Sequence, residues 1–287
     1  MKINEKNMYS RSACSHIVIG IFIVFFHLFL IFLPIYLFDS LNINIIIKSL
    51  LAIIIIFFIG TRMRALGNII HECSHYTFVP SRKHNINIGK IICFLDISDF
   101  NTYKKDHFSH HRYLGDPERD EDFKERKKIG IFKDDRLHFF RILLIILSCK
   151  NWFLLIKTNK YLKSIICFKN KKSIYYLIFL LLLGIVIGFS NLFMFIILPY
   201  LSSYQMMKLL SDYLDHGAIY FKESTEERTR NHIFSIGILN WIFFPRADCF
   251  HLVHHLYPTI PTNQLAKKHH EIMRKNANYK LRRHNIF

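Results

Sequence analysis

Apolar positions in this chain come in long unbroken runs. From His16 to Phe38, "HIVIGIFIVFFHLFLIFLPIYLF" contains no Lys, Arg, Asp or Glu. Coiled as a helix at ~1.5 Å per residue, it is long enough to cross a bilayer core of ~30 Å. A second run, Ile43–Gly60, is broken only by Lys48, which sits near its outer end and can snorkel. A third, Ile174–Met207, is too long for one crossing and divides naturally at "GFSN", Gly188–Asn191. The pattern predicts an all-α integral membrane protein of about four spanning helices, roughly 16–38, 43–62, 173–189 and 191–210. The chain reads as one membrane domain, 1–287, with helical segments 63–172 and 211–287 outside the lipid. A cleaved signal peptide is a poor reading of the first run, which is longer than a signal core and lacks a small-residue cleavage site. Between Arg136 and Lys157, "RLHFFRILLIILSCKNWFLLIK" is interrupted by Arg141 and Lys150. Its apolar pieces are too short to cross, so it reads as an amphipathic helix lying in the interface.

Charge gives the runs an orientation. The chain is 51% hydrophobic yet carries a formal charge of +18, and the two coexist because they are segregated. Lys2, Lys6 and Arg11 precede the first run, whereas "DSLNIN" and "GFSN" contain no Lys or Arg. The stretch from Arg62 to Lys172 and the tail after Lys208 are rich in both. Cations gather on the cytoplasmic side, which places both termini and the large middle segment there. Their charge then faces anionic headgroups, and no basic fold free of the bilayer is left for nucleic acid. Six scattered cysteines with no Cys-x-x-Cys read as free thiols.

Eight of the 17 histidines fall in three short windows: "HECSH" (His71, His75), "HFSHH" (His107, His110, His111) and "HLVHH" (His251, His254, His255). Residues three or four apart share a helix face, so each window is expected to aim its rings one way. Under the orientation above, all three emerge on the cytoplasmic side. Imidazole suits Zn, Cu, Fe and Ni, so the ligand type names no metal. One tetrahedral zinc takes about four ligands and would leave half of these rings idle. Two metals of higher coordination number would use all eight and keep positions open. Iron combines such a site with oxygen chemistry, though the residues alone do not single it out. A transporter would carry ionisable residues inside its spans, and these spans are nearly free of them.

In these windows the chain resembles the integral-membrane fatty acid desaturases and hydroxylases, whose signature is three histidine boxes around a di-iron centre. "HECSHYTF" is similar to the first box, "YKKDHFSHHRYLGDPERDEDF" to the second and "NWIFFPRADCFHLVHHLYPTIP" to the third. "LSDYLDHGAIYFKESTEERTRN" resembles the stretch that often supplies a further histidine ligand, a role this assigns to His216. The resemblance implies two iron ions, O2 as co-substrate, and a double bond introduced into a fatty acyl or lipid chain within the bilayer. Alternatives are a hydroxylase, or a desaturase of a small secondary metabolite of the rhizobitoxine type, to which "HHRYLGDPERDED" is the more similar phrasing. No "HPGG" haem-binding sequence occurs, so electrons are expected from a separate donor of the ferredoxin or cytochrome b5 type. Glu72, Asp212 and Asp215 are candidates to orient ligand rings. His27 is expected to face other helices, and the tail histidines, His269, His270 and His284, to be solvated.

Overall fold

A computed structural model describes residues 10–129, 146–159, 171–217 and 226–286, together with residues 143, 144, 162, 219, 222 and 224. Helices dominate: α1 (Ile17–Ser40), α2 (Ile45–Ser74), α3 (Arg82–Leu95), α4 (Phe100–Tyr113), α5 (Glu121–Ile129), α6 (Cys149–Thr158) and α7 (Lys171–Ile187). Then follow α8 (Phe189–His216), α9 (Gly237–Phe243), a 3-10 turn (Pro245–Phe250), α10 (His251–Leu256), α11 (Thr262–Lys275) and α12 (Ala277–Lys280). Among the described residues there is no strand, only an isolated bridge between Ile233 and Asn285.

α1, α2 and α8 are long and apolar enough to cross a membrane. Their outward positions are apolar and bare: Phe22, Phe25 and Tyr36 on α1, and Ile45, Ile53 and Ile54 on α2, are more than 60% exposed. Such a surface suits lipid, not water. The third apolar region breaks at Gly188, whose φ of 86° is open to glycine at little cost. Among the described residues α7 covers 17, and three helices meet the length criterion where the sequence pattern suggested four. Of the expected interfacial helix, most of residues 136–145 lie outside the described residues, and the later part is α6.

Two of these helices, α2 and α8, are longer than a ~30 Å bilayer core requires, and their ends place the site. α2 has 30 residues, ~45 Å of helix, and from Ile59 onward most of its side chains are buried in protein. Arg62, fully buried, donates from Nη2 to the carbonyl of Trp241 at 2.8 Å and stacks its guanidinium over the Trp241 ring at 3.9 Å. That contact docks α9 against α2. α8 approaches α2 closely because Gly60 has no side chain: a Cβ there would overlap Ser203, whose hydroxyl donates to Ile56 O at 2.7 Å. Within α8, a wider π turn (Phe193–Ile197) precedes Pro199, where the missing N–H disrupts regular helical bonding. Lys48 donates to Leu41 O at 3.0 Å, and Asn191 bonds Asp39 at 2.6 Å, closing the far end.

Candidate metal centre

The nine predicted histidines converge from four elements. α2 carries His71 in its last turn, and His75 is its C-cap; α4 carries His107, His110 and His111; α8 ends at His216; α10 carries His251, His254 and His255. They form two groups, and within each group the donor nitrogens lie within 4.8 Å of one another. His71, His75, His107, His111 and His254 make the first group, and His110, His216, His251 and His255 the second.

The windows do not aim one way, and helix geometry explains why. At ~100° per residue, positions i and i+4 differ by ~40°, while i+3 falls ~60° to the other side of i. His107 and His111 accordingly face the first group and His110 the second; His251 and His255 face the second group and His254 the first. Each His-x-x-His-His window is a bridge between the groups. The first window has only an i, i+4 pair and serves one group.

Spacing and protonation both suit metal. Nε2 atoms approach at 2.7 Å (His75–His107), 3.0 Å (His107–His111 and His111–His254), 3.1 Å (His110–His216) and 3.0 Å (His216–His251 and His251–His255). Two nitrogens ~2.1 Å from a common ion stand ~3.0 Å apart at a right angle and ~3.4 Å apart at the tetrahedral angle. The observed contacts match the first value, the spacing of higher coordination with positions left over. Metal ligation needs neutral imidazole. Burial, reinforced by neighbouring rings, holds His75, His107, His251, His254 and His255 well below the usual imidazole range and pushes His111 down to about 2.

The outer nitrogens show which residues aim the rings. His110 Nδ1 lies 3.1 Å from Asp120 Oδ2, and His216 Nδ1 donates to Arg228 O at 2.8 Å. Burial alone would raise the Asp120 carboxyl, but His110 and the Gly115 N–H outweigh it and hold it low. Asp120 was not anticipated, although it lies in the acidic run "GDPERDEDF" that trails the second window. Of the expected carboxylates, Asp215 comes nearest a ligand ring, 3.6 Å from His251 Nδ1. His232 Nδ1 also approaches Asp215 Oδ1 to 3.2 Å, without hydrogen-bond geometry. Glu72 and Asp212 are otherwise engaged. Arg246 grips both Glu72 oxygens at 2.7 Å with Thr262 adding a third bond, and Arg126 takes Asp212 at 2.8 Å. Arg246 and Ala247 have φ of 65° and 59°, a left-handed pair that costs energy in non-glycine residues. The Glu72 bridge holds that turn, and the turn feeds directly into α10.

His27 is buried in α1 with Nδ1 unpartnered. His270 is exposed, but the expectation of solvated tail histidines fails for His269 and His284, both buried around Tyr279 and Asn231. A cavity of about 280 Å³ touches both groups, through His71 and His107 of the first and His110 and His251 of the second.

Apolar spans carrying a buried double cluster of histidines define a membrane-associated helical protein whose core could hold metal. The chain belongs to the fatty acid desaturase family, which it matches over residues 48–287. It is 26% identical over 225 residues to dihydrorhizobitoxine desaturase from Bradyrhizobium elkanii, a match covering 71% of this chain and 62% of that protein. The chain thus spans less than two thirds of that relative's length.

Proposed function

We propose that the chain is an O2-dependent desaturase that holds two iron ions, one in each histidine group, and converts a saturated carbon–carbon bond to a double bond. The observation that carries this is the pair of histidine groups, five rings and four, sharing one cavity. Family membership and the similarity to a desaturase support the reaction type. Bound iron would supply the redox chemistry: two hydrogens from the substrate and two electrons with two protons from a reductant take O2 to two waters.

The chain's own residues set the conditions. The rings turn Nε2 inward while Asp120 and Arg228 O engage the outer Nδ1 of His110 and His216. The Glu72–Arg246 bridge ties α10 to α2, so the third window cannot drift from the first. Burial of His107, His110, His216, His254 and His255 limits the access of bulk water, which would limit side reactions. The electron donor is a separate protein of the ferredoxin or cytochrome b5 type, and the cation distribution supports a site on the cytoplasmic side. An acyl chain is the substrate the family suggests; a small metabolite is the alternative, supported by the relative named for dihydrorhizobitoxine. Hydroxylation is the second reading, because the same ligands serve it and only the fate of the carbon differs.

The test combines metal content with product mass. Purified chain reconstituted anaerobically with Fe(II) should retain about two irons, and His254→Ala fewer. A product lighter by two hydrogens supports desaturation, and one heavier by an oxygen moves the assignment to hydroxylase. A folded chain that retains no iron removes the basis of both.

A further inference from the structure

Beyond α10 the chain ends in a strongly cationic surface. Between Thr262 and Ile286 stand seven Lys and Arg against a single acid, Glu271. That acid is already covered, by Lys268 at 3.3 Å and Lys275 at 2.8 Å. On α11 the exposed positions Lys267, His270 and Arg274 recur at three and four residues, the spacing of one helix face. The opposite face is buried, with Leu265 and Ile272 packed in one cluster with Leu252 and Val253 of α10. Lys280 and Arg283 are exposed as well, so the cationic surface runs on past α12. Leu281 stands between them, 86% exposed.

Two features say what this face fits. A helix that lies in a bilayer surface presses large apolar side chains into the lipid beside its cations. Ile236, Ile238 and Trp241, at α9, are exposed in that way, but α11 exposes no large apolar side chain. A polar cationic face with one isolated leucine suits a weak complex with an acidic protein, in which opposite charges steer the encounter. The face is also joined to the histidine groups by a short line of rings. The centre of the His270 ring is 5.3 Å from that of His269, and His269 is 5.4 Å from Phe250, the residue before His251. Electron tunnelling falls off exponentially with distance, so a carrier seated on α11 is separated from His251 by these three side chains.

We propose that the exposed face of α11 and α12 is the docking surface for an acidic one-electron carrier protein. The carrier is oxidised by one electron at each encounter, and two encounters supply the two electrons of the reaction proposed above. The assignment rests on the desaturase reading and names where the donor of that reaction binds.

Association kinetics test it, using the full chain in phosphatidylcholine nanodiscs, which carry no net lipid charge, with iron content measured in parallel. The probes are an acidic plant-type ferredoxin, a soluble cytochrome b5 domain, and cytochrome c as a basic carrier. The acidic carriers should bind and cytochrome c should not, and the binding should weaken as salt screens the charges. Arg274→Glu combined with Lys280→Glu should slow association of the acidic carriers about 10-fold or more at low salt. Lys83→Glu with Lys90→Glu, an equal charge change at exposed positions of α3, should not. Thermal unfolding of each variant separates lost docking from lost fold. Failure of both acidic carriers to bind, or equal slowing by the two double reversals, overturns the proposal, leaves the face to lipid headgroups and keeps the metal and desaturase readings standing. Docking as described by a chain that retains no iron sinks the desaturase reading and keeps the surface assignment.

Discussion

Asp120 is the side chain on which the aim of the second histidine group turns. It is fully buried, and its two oxygens meet His110 Nδ1 at 3.2 and 3.1 Å, the Phe123 N–H at 3.0 Å and the Gly115 N–H at 2.9 Å. An ionised carboxylate only accepts, so the His110 proton is fixed on Nδ1 and the Nε2 lone pair points at His216. In Asp120→Asn one of these oxygens becomes an NH2 donor. The amide oxygen can face Phe123 or Gly115, but not both, because those N–H groups bond different oxygens. One buried backbone donor is then left opposed to another, at ~1–3 kcal/mol. His110 loses half of its acceptor surface at the same time. Changes to such outer partners typically cost ~10–100-fold in metal affinity, or ~1.4–2.7 kcal/mol.

The effect should be selective. Asp120 hydrogen-bonds to none of the first group's rings, so the loss falls on the group of His110, His216, His251 and His255. After Fe(II) reconstitution and a graded chelator challenge, wild-type chain should release its metals together at high chelator. Asp120→Asn should release one of two about 10- to 100-fold earlier, with helical content unchanged by circular dichroism. Retention of both metals to the wild-type chelator concentration would refute the role given to Asp120. Parallel loss of both from a folded chain would refute the division into two groups.

Three further outcomes follow from buried contacts. Arg246→Ala leaves Glu72, 1% exposed, as an uncompensated buried charge, a class of change that costs ~3–5 kcal/mol; the thermal midpoint should drop, and the double replacement Glu72→Leu/Arg246→Met should recover most of it. Gly60→Val forces a side chain into Ser203, where both backbone and hydroxyl stand in the way, so about 1–3 kcal/mol should be lost and Ser203→Ala should rescue only part; full rescue would show that α2 and α8 are not so tightly apposed. Burial pushes His111 down to about 2 and His232 to about 3, so below the unfolded value near 6.5 the unfolded metal-free chain binds more protons than the folded one. Its stability should therefore fall as pH drops below ~6.5, by up to ~1.4 kcal/mol per pH unit for each such ring. A flat profile of unfolding midpoint between pH 7.5 and 5 would contradict neutral burial.

What could be read from the sequence was local. Uninterrupted apolar length marked the spans, and three- and four-residue spacings marked the histidine windows, because both depend on neighbours along one helix. Partnerships made by the fold were hidden. Glu72, beside His71, looked placed to orient a ring, yet the left-handed turn at Arg246 and Ala247, 174 residues away, brings a guanidinium onto it instead. His269 and His284 looked like solvated tail residues until Tyr279 and Asn231 closed around them. The cavity wall joins α2, α4, α6 and α8, so its charge pattern has no continuous signature in the chain.

The division of the windows shows how a local pattern can carry a long-range consequence. In a His-x-x-His-His helix the outer pair and the middle ring diverge by geometry alone, so two such helices packed together must serve two centres. Each gives a pair to one centre and a single ring to the other. The pairs here go to opposite groups: His107 and His111 to the first, His251 and His255 to the second. The first group is completed by the pair from α2, but the second would stand at three rings. His216, at the end of a helix longer than a ~30 Å bilayer core requires, as α2 is, brings it to four. His216→Ala should therefore empty the second group preferentially, and His75→Ala the first. Metal stoichiometry measured on the two variants would then fall by one in each case, whereas a single shared centre would lose everything in both.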